Sequence, residues 1–213
     1  MIAALVPVKR LAQAKSRLRP VLSDGQRRHF VLAMLEDALR LLAGQPAIAT
    51  TAVVSADEEV LAFARSLGAQ PIREPRSVRG LNAALAFAAE ALARQGADGL
   101  LVLPADLPLA TPADIEVVLA AAHDAPVVLC PSHSGGTSAL ALRPPQAIPF
   151  RFGSRSFAAH RRAGVERGLP AAVVSRPGLA MDVDRPEDLR AVLAAGGSLS
   201  REVLRAAAVV AAV

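Results

Sequence analysis

The chain of 213 residues contains no tyrosine and no tryptophan, and its aromatic content is six phenylalanines. Proteins that bind single-stranded nucleic acid stack bases on aromatic platforms, so that function is disfavoured here despite a positive charge balance. Cysteine is almost as scarce, with Cys130 alone. It cannot form an internal disulfide, and it lies in the apolar stretch VVLCP with no ligand residues beside it, which suits a core position in a reducing cytoplasm. Apolar runs reach about half of the ~20 residues that a membrane-spanning helix requires, and the first positive charges follow IAALVPV rather than precede it. Neither a membrane span nor a signal peptide is expected. The four histidines, His29, His123, His133 and His160, form no H-x-x-H or H-E-x-x-H pair and read as structural or surface residues. Neither G-x-x-x-x-G-K-[ST] nor G-x-G-x-x-G occurs, so the P-loop and the dinucleotide fingerprint are both absent.

What the chain does have is apolar residues, 53% of the total, enough for one sizeable core and a single domain over residues 1–213. The net charge of +5 and a pI near 10.8 point to anionic partners, either nucleic acid or small phosphorylated molecules. Distribution favours the second. Residues 9–28 carry Lys9, Arg10, Lys15, Arg17, Arg19, Arg27 and Arg28 against Asp24, and residues 151–167 carry five arginines against Glu166. Two separated clusters suit a pocket better than a continuous stripe.

Short apolar runs alternate with helical patterns. IAALVPV (2–8) is the first run, and residues 24–44 then place Phe30, Val31, Met34, Leu35, Ala38, Leu41 and Leu42 at helical spacing before ending on Gly44. A strand at TAVVS, a helix over 57–67, a loop rich in Arg and Pro over 73–79, a helix over 80–95 and the strand LLVL follow. Thr111 and Pro112 then open a helix as N-cap and first residue, with Asp114 placed to complete a capping box. This β/α alternation predicts an α/β fold of three layers, a mostly parallel, mixed sheet with helices on both faces, and ligands outside the carboxyl ends of the strands.

LLVL stops at PADLPL (104–109), which sets Asp106 between two prolines just past a buried strand. Proline on each side prevents the segment from continuing as a central strand, so Asp106 is placed either as a ligand residue or as a simple turn former. In AMDVDRPEDL, Asp182 and Asp184 are two apart, and in extended backbone both point to one face. Like charges so close repel unless a cation lies between them, and hard oxygen ligands suit Mg²⁺, which keeps sites for water and phosphate. Asp184 could instead cap the helix that D-R-P-E announces. A cationic complement follows the first strand in PVKRLAQAKSRL (7–18), where Lys15 and Arg17 are suited to a triphosphate.

PVKRLAQAKSRL, GLNAAL (80–85), PADLPL, GGTSAL (135–140), FRFGSRSF (150–157) and MDVDRPEDL, in that order over nearly the whole chain, resemble the 2-phospho-L-lactate and phosphoenolpyruvate guanylyltransferases of deazaflavin coenzyme F-420 biosynthesis. PADLPL and DVDRPEDL belong to the wider nucleotidyltransferase superfamily, and GGTSAL followed by FGSRSF narrows it. The superfamily usually has a glycine-rich loop after its first strand; the loop here has no glycine, which fits this family. The resemblance implies a nucleotidyltransferase fold, Rossmann-like and akin to GT-A enzymes, with Mg²⁺ on Asp106, Asp182 and Asp184. It implies an acceptor's phosphate and carboxylate against Thr137, Gly153 and Ser156, and GTP against Lys15, Gly80 and Asn82. It further implies transfer of GMP from GTP to 2-phospholactate, phosphoenolpyruvate or 3-phosphoglycerate, with Lys15 and Arg17 as catalytic groups neutralising charge on the reacting phosphates. From the residues alone, Ser156 is equally a helix cap, and Gly80 and Asn82 equally a plain helix start.

A glycosyltransferase that holds a sugar nucleotide through DVD and a non-catalytic nucleotide-binding regulator remain as other readings. The C-terminal SLSREVLRAAAVVAAV reads as a helix with an apolar end, suited either to the core or to a second subunit of a homodimer.

Overall fold

Alternating burial in the first strand sets the architecture. In β1 (Ile2–Pro7), Ala4 and Val6 belong to one apolar cluster and Ala3 and Leu5 to another, and all four are fully buried. A strand covered on both faces must lie inside a layered α/β structure. The computed structural model describes residues 1–207. β2 (Ile48–Ser55), β3 (Gln70–Arg73), β4 (Gly99–Val102), β5 (Val127–Pro131), β6 (Thr137–Leu142) and β7 (Ala171–Val173) join β1 in one sheet of order β3-β2-β1-β4-β6-β5-β7.

Helices cover both faces. α1 (Asp24–Ala43) and α4 (Pro112–Asp124) supply Phe30, Met34, Leu35, Ile115 and Val118 to one cluster, while α3 (Leu81–Arg94) and α5 (Ser156–Glu166) supply Leu85, Ala88, Leu92 and Ala163 to the other. α2 (Glu58–Ser66) has Asp57 as its N-cap. The Thr111–Asp114 capping box forms as expected, with Pro112 in the first turn. Asp114 also accepts a 2.7 Å bond from Arg176 Nε, which fixes the entry to α6 (Pro177–Ala180) and so delivers the chain to residues 181–184. α7 (Leu189–Ala195) and α8 (Ser198–Ala206) complete the described chain. Asp37 of α1 caps α8 from outside, accepting from the backbone N–H groups of Leu199 and Ser200, and Leu204 is fully buried. The described part of the C-terminal helix therefore packs on the core, and its expected apolar end, residues 208–213, lies outside the described residues.

β6 runs against the others. Leu100 pairs with Leu142 and Val102 with Leu140, so the start of β6 lies at the carboxyl end of β4. That reversal brings Thr137 to the same edge of the sheet as Asp106. β3 was not foreseen: QPIR is four residues long, and its proline is tolerated because the strand is at the sheet's edge. Among the described residues no helix is long and apolar enough to cross a membrane.

Candidate active site

The loop after β1 has no glycine, yet it holds a left-handed turn at Lys15 (φ 50°, ψ 39°) between two short 3₁₀ turns. Such a conformation costs a residue with a Cβ about 1–2 kcal/mol, so neighbours must enforce it. Leu11, Ala14 and Leu18 are buried beneath the loop. The Leu11 N–H donates to Asp57 Oδ2 at 2.9 Å, and the buried Arg27 guanidinium donates to the Ala14 carbonyl at 2.8 Å, one peptide before Lys15. Held in this way, Lys15 turns its ammonium inward, to 2.7 Å from Asp106 Oδ2 and 3.1 Å from Asp184 Oδ1, with the side chain only 9% exposed. Arg17 stands behind it, 3.6 Å from Asp184 Oδ2.

The two acidic segments meet through the backbone, since the Val183 N–H donates to the Asp106 carbonyl at 3.1 Å. Val183 is fully buried while Asp182 and Asp184 are half-buried, the alternation expected of extended backbone. Asp184 is not the local helix cap. Asp188 does that work, its Oδ2 accepting from the N–H groups of Asp184 and Arg185 at 2.8 and 2.7 Å, which leaves the Asp184 side chain free to face Lys15. Among the described residues no three His, Cys, Asp or Glu side chains converge as a ready metal cage. Lys15 places one positive charge between Asp106 and Asp184.

Titration follows from these contacts. Burial pushes the Lys15 pKa down, but the charges and hydrogen bonds of Asp106 and Asp184 outweigh it and hold the ammonium above its ordinary value. Burial pushes Asp184 up, yet Lys15, aided by Arg17 and Lys9, holds it below the ordinary carboxylate range. Asp182 moves the other way: burial raises it, its own backbone bond opposes that, and the charges of Asp106 and Asp184 raise it further.

A second cluster lies at the start of β6. Ser156 opens α5 but does not act as an ordinary cap; its buried Oγ accepts from the Thr137 N–H at 2.7 Å. Thr137 Oγ1 lies 2.8 Å from His160 Nδ1, and His160 Nε2 accepts from the Arg151 N–H at 2.8 Å. Burial, reinforced by the Arg151 charge, pushes the His160 pKa down to about 4. Gly153 has φ +136°, a conformation that side chains rarely adopt, and Arg155 is left-handed at φ 58°. Thr137 and Ser156 are thus in direct contact, and the Ser156 N–H donates to the Gly153 carbonyl at 3.2 Å, which joins the three residues in one corner.

Asn82, which the resemblance assigns to the nucleotide, contacts the Phe152 backbone. Its amide makes a reciprocal pair with the Phe152 backbone, donating to the carbonyl at 3.0 Å and accepting from the N–H at 2.7 Å, so it latches α3 to the loop that carries Gly153. Gly80 lines a cavity of about 700 Å³ at the ends of β2 and β3, together with Arg10, Arg73, Glu74 and Arg79. Sequence reasoning did not assign this cavity, because β3 itself was missed; the Arg/Pro-rich stretch 73–79 was the available signal. His160, expected to be structural or surface, is fully buried with both ring nitrogens bonded. Its nearness to FGSRSF was the only pointer.

Cationic groups and carboxylates gathered at the carboxyl edge of a mostly parallel sheet fit a nucleotidyltransferase-like α/β fold. A crystal structure described as a nucleotide-diphospho-sugar transferase of Desulfovibrio desulfuricans G20 superposes with a TM-score of 0.79 at 17% identity, over 99% of this chain and 97% of the other. The chain belongs to the family "Guanylyl transferase CofC like", whose model matches residues 2–211. It is 45% identical over 196 residues to the phosphoenolpyruvate guanylyltransferase of Rubrobacter xylanophilus, covering 91% of this chain and 94% of the relative. It is 40% identical over 203 residues to the 2-phospho-L-lactate guanylyltransferase of Methanothermobacter thermautotrophicus, covering 95% and 89% respectively.

Proposed function

We propose that this chain transfers GMP from GTP to a small phosphorylated carboxylic acid, releasing pyrophosphate, as a cytoplasmic step in coenzyme F-420 assembly. The observation that carries the reading is the inward ammonium of Lys15, shared by Asp106 and Asp184 at the same carboxyl edge of the sheet as the cavity and the hydroxyl corner. A triphosphate crossing that edge meets Lys15 and Arg17, while the nucleoside enters the cavity beside Gly80. The cavity's Glu74 offers a carboxylate, and guanine's N1–H and 2-amino group are donors that a carboxylate accepts.

The acceptor's anionic groups are assigned to the corner of Thr137, Ser156 and Gly153, where two hydroxyl groups lie together. Its phosphate oxygen attacks the α-phosphorus of GTP; the α–β bridging bond breaks and pyrophosphate leaves with the bonding electrons. The attacking phosphate is already anionic at neutral pH, so no general base is needed. Alignment and charge neutralisation by Lys15 and Arg17 supply the catalysis.

The oxygen donors fit Mg²⁺, because Asp106 and Asp184 already converge on one cation and this ion needs only one or two protein carboxylates. Asp106 and Asp184 would hold it, with Asp182 beside them, and when bound it neutralises charge on phosphate oxygens. A cytoplasmic setting is supported by Cys130, fully buried with its thiol pKa pushed up to about 12 by burial and the Asp114 charge.

The test is pyrophosphate release by purified protein with Mg²⁺, each nucleoside triphosphate, and 2-phospholactate, phosphoenolpyruvate or 3-phosphoglycerate. Release with GTP and one of the acids supports the reading. A released nucleoside diphosphate with a sugar nucleotide marks a glycosyltransferase, and tight GTP binding without turnover marks a regulator.

A further inference from the structure

His160 ties together two walls of the hydroxyl corner, and the proposed reaction leaves it without a role. It is fully buried on α5, with the Phe152 ring packed edge-on at 4.9 Å. The hydrogen-bond pattern fixes its tautomer. A backbone N–H can only donate, so Nε2, which receives the Arg151 N–H, must carry the lone pair. An imidazolium would set two donors against each other at that contact, so the ring is neutral and its hydrogen is on Nδ1. The burial that pushes its pKa down acts in the same sense.

The Thr137 hydroxyl must then accept from Nδ1–H at 2.8 Å. Its own hydrogen has no acceptor among the described residues and is left for a ligand. Ser156 repeats the pattern: its oxygen is taken by the Thr137 N–H, and its hydrogen is free as well. Without His160 the threonine hydroxyl would turn freely and present a lone pair as readily as a hydrogen.

We infer that His160 is a positioning residue that occupies one lone pair of the Thr137 hydroxyl and so directs its hydrogen toward the anionic phosphate or carboxylate of the acceptor. This rests on the reading of that corner as the acceptor site. An anionic oxygen accepts that hydrogen more strongly than the oxygen of a neutral acid or an alcohol does. His160 reaches the acceptor only through Thr137.

The experiment compares acceptor and GTP KM in wild type, Thr137→Val, His160→Phe and the double variant. A lost hydrogen bond to a charged ligand is worth about 1.5–3 kcal/mol, which is about 10-fold to 100-fold in affinity. Thr137→Val raises acceptor KM within that range. His160→Phe raises it about 10-fold, with GTP KM changed less than about 2-fold, and adds nothing once Thr137 is valine. Thr137→Val with unchanged acceptor KM would show that the corner is not the acceptor site. Thr137→Val with a raised KM that His160→Phe multiplies further would keep the site and overturn the role of His160. A measurement on the wild-type protein stands independently of whether His160→Phe folds: long-range ¹H–¹⁵N correlation of His160 at neutral pH should show a neutral ring protonated at Nδ1. A ring protonated at Nε2, or at both nitrogens, overturns the inference.

Discussion

Lys15→Met keeps the length of the side chain and removes the charge that Asp106 and Asp184 share. Deleting one partner of a buried ion pair costs about 3–5 kcal/mol, whereas an exposed pair is worth about 0–1 kcal/mol. Lys15 is 9% exposed and its partners 31% and 46%, so the loss falls between these limits, at about 2 kcal/mol. For a domain of this size each kcal/mol moves the melting midpoint by about 2–4 °C, which gives a fall of about 4–8 °C at neutral pH and low salt. The fall also has a pH signature. Asp184 is held below its unfolded pKa, so its share of stability is present above that value and is lost as the pH falls through the folded one. Lys15 is held above its unfolded value of 10.5, so its share is full below that and is lost as the pH rises through the folded value. Differential scanning calorimetry of both proteins across pH should show a constant gap through neutrality that narrows below about pH 4. Equal midpoints at neutral pH, or a gap unchanged in strong acid, would refute the shared ion pair.

Asp106→Asn should lower the melting midpoint by less than Lys15→Met does, because Asp184 still pairs with the ammonium, while lowering turnover at least about 100-fold, the upper range for disturbing even a metal's outer contacts; unchanged kinetics would return Asp106 to a turn-forming role. Asn82→Ala removes two hydrogen bonds to the Phe152 backbone and should cost about 2 kcal/mol in a denaturant titration, raising the KM of the acceptor rather than that of GTP. A selective rise in GTP KM would mean that Asn82 contacts the nucleotide directly. His160 has a folded pKa of about 4 against 6.5 when free, so the neutral ring's stability is present above 6.5 and declines by about 3 kcal/mol as the pH falls to about 4. His160→Asn should lack that decline, and identical acid slopes in the two proteins would contradict it.

The parallel half of the sheet was legible because β1 and β4 are continuous apolar runs and their helices carry clear caps at Thr111 and Gly44. Asp106, Asp182 and Asp184 were legible because proline fences and i, i+2 spacing state where a side chain points. The antiparallel β6 was not, since no local pattern says which neighbour a buried strand pairs with. Nor was the direct pairing of Lys15 with Asp106, which lies 91 residues away in sequence. Asn82 shows the same limit from the other side. Its residue type suits a ligand, but only the fold brings Phe152 to within reach of its amide. His160 carries no motif at all, and its tautomer is set by a backbone N–H whose direction sequence does not state.

The most direct test of the proposed reaction follows label from two positions of GTP in the presence of Mg²⁺ and each of the three phosphorylated acids. Phosphorus-32 at the α position should appear in a new product that contains guanosine and the acid joined through a diphosphate. Label at the γ position should leave entirely as pyrophosphate, in amounts equal to that product. Transfer of γ label to the acid, or α label recovered only as GTP or GDP with every acid, would contradict guanylyl transfer by this chain.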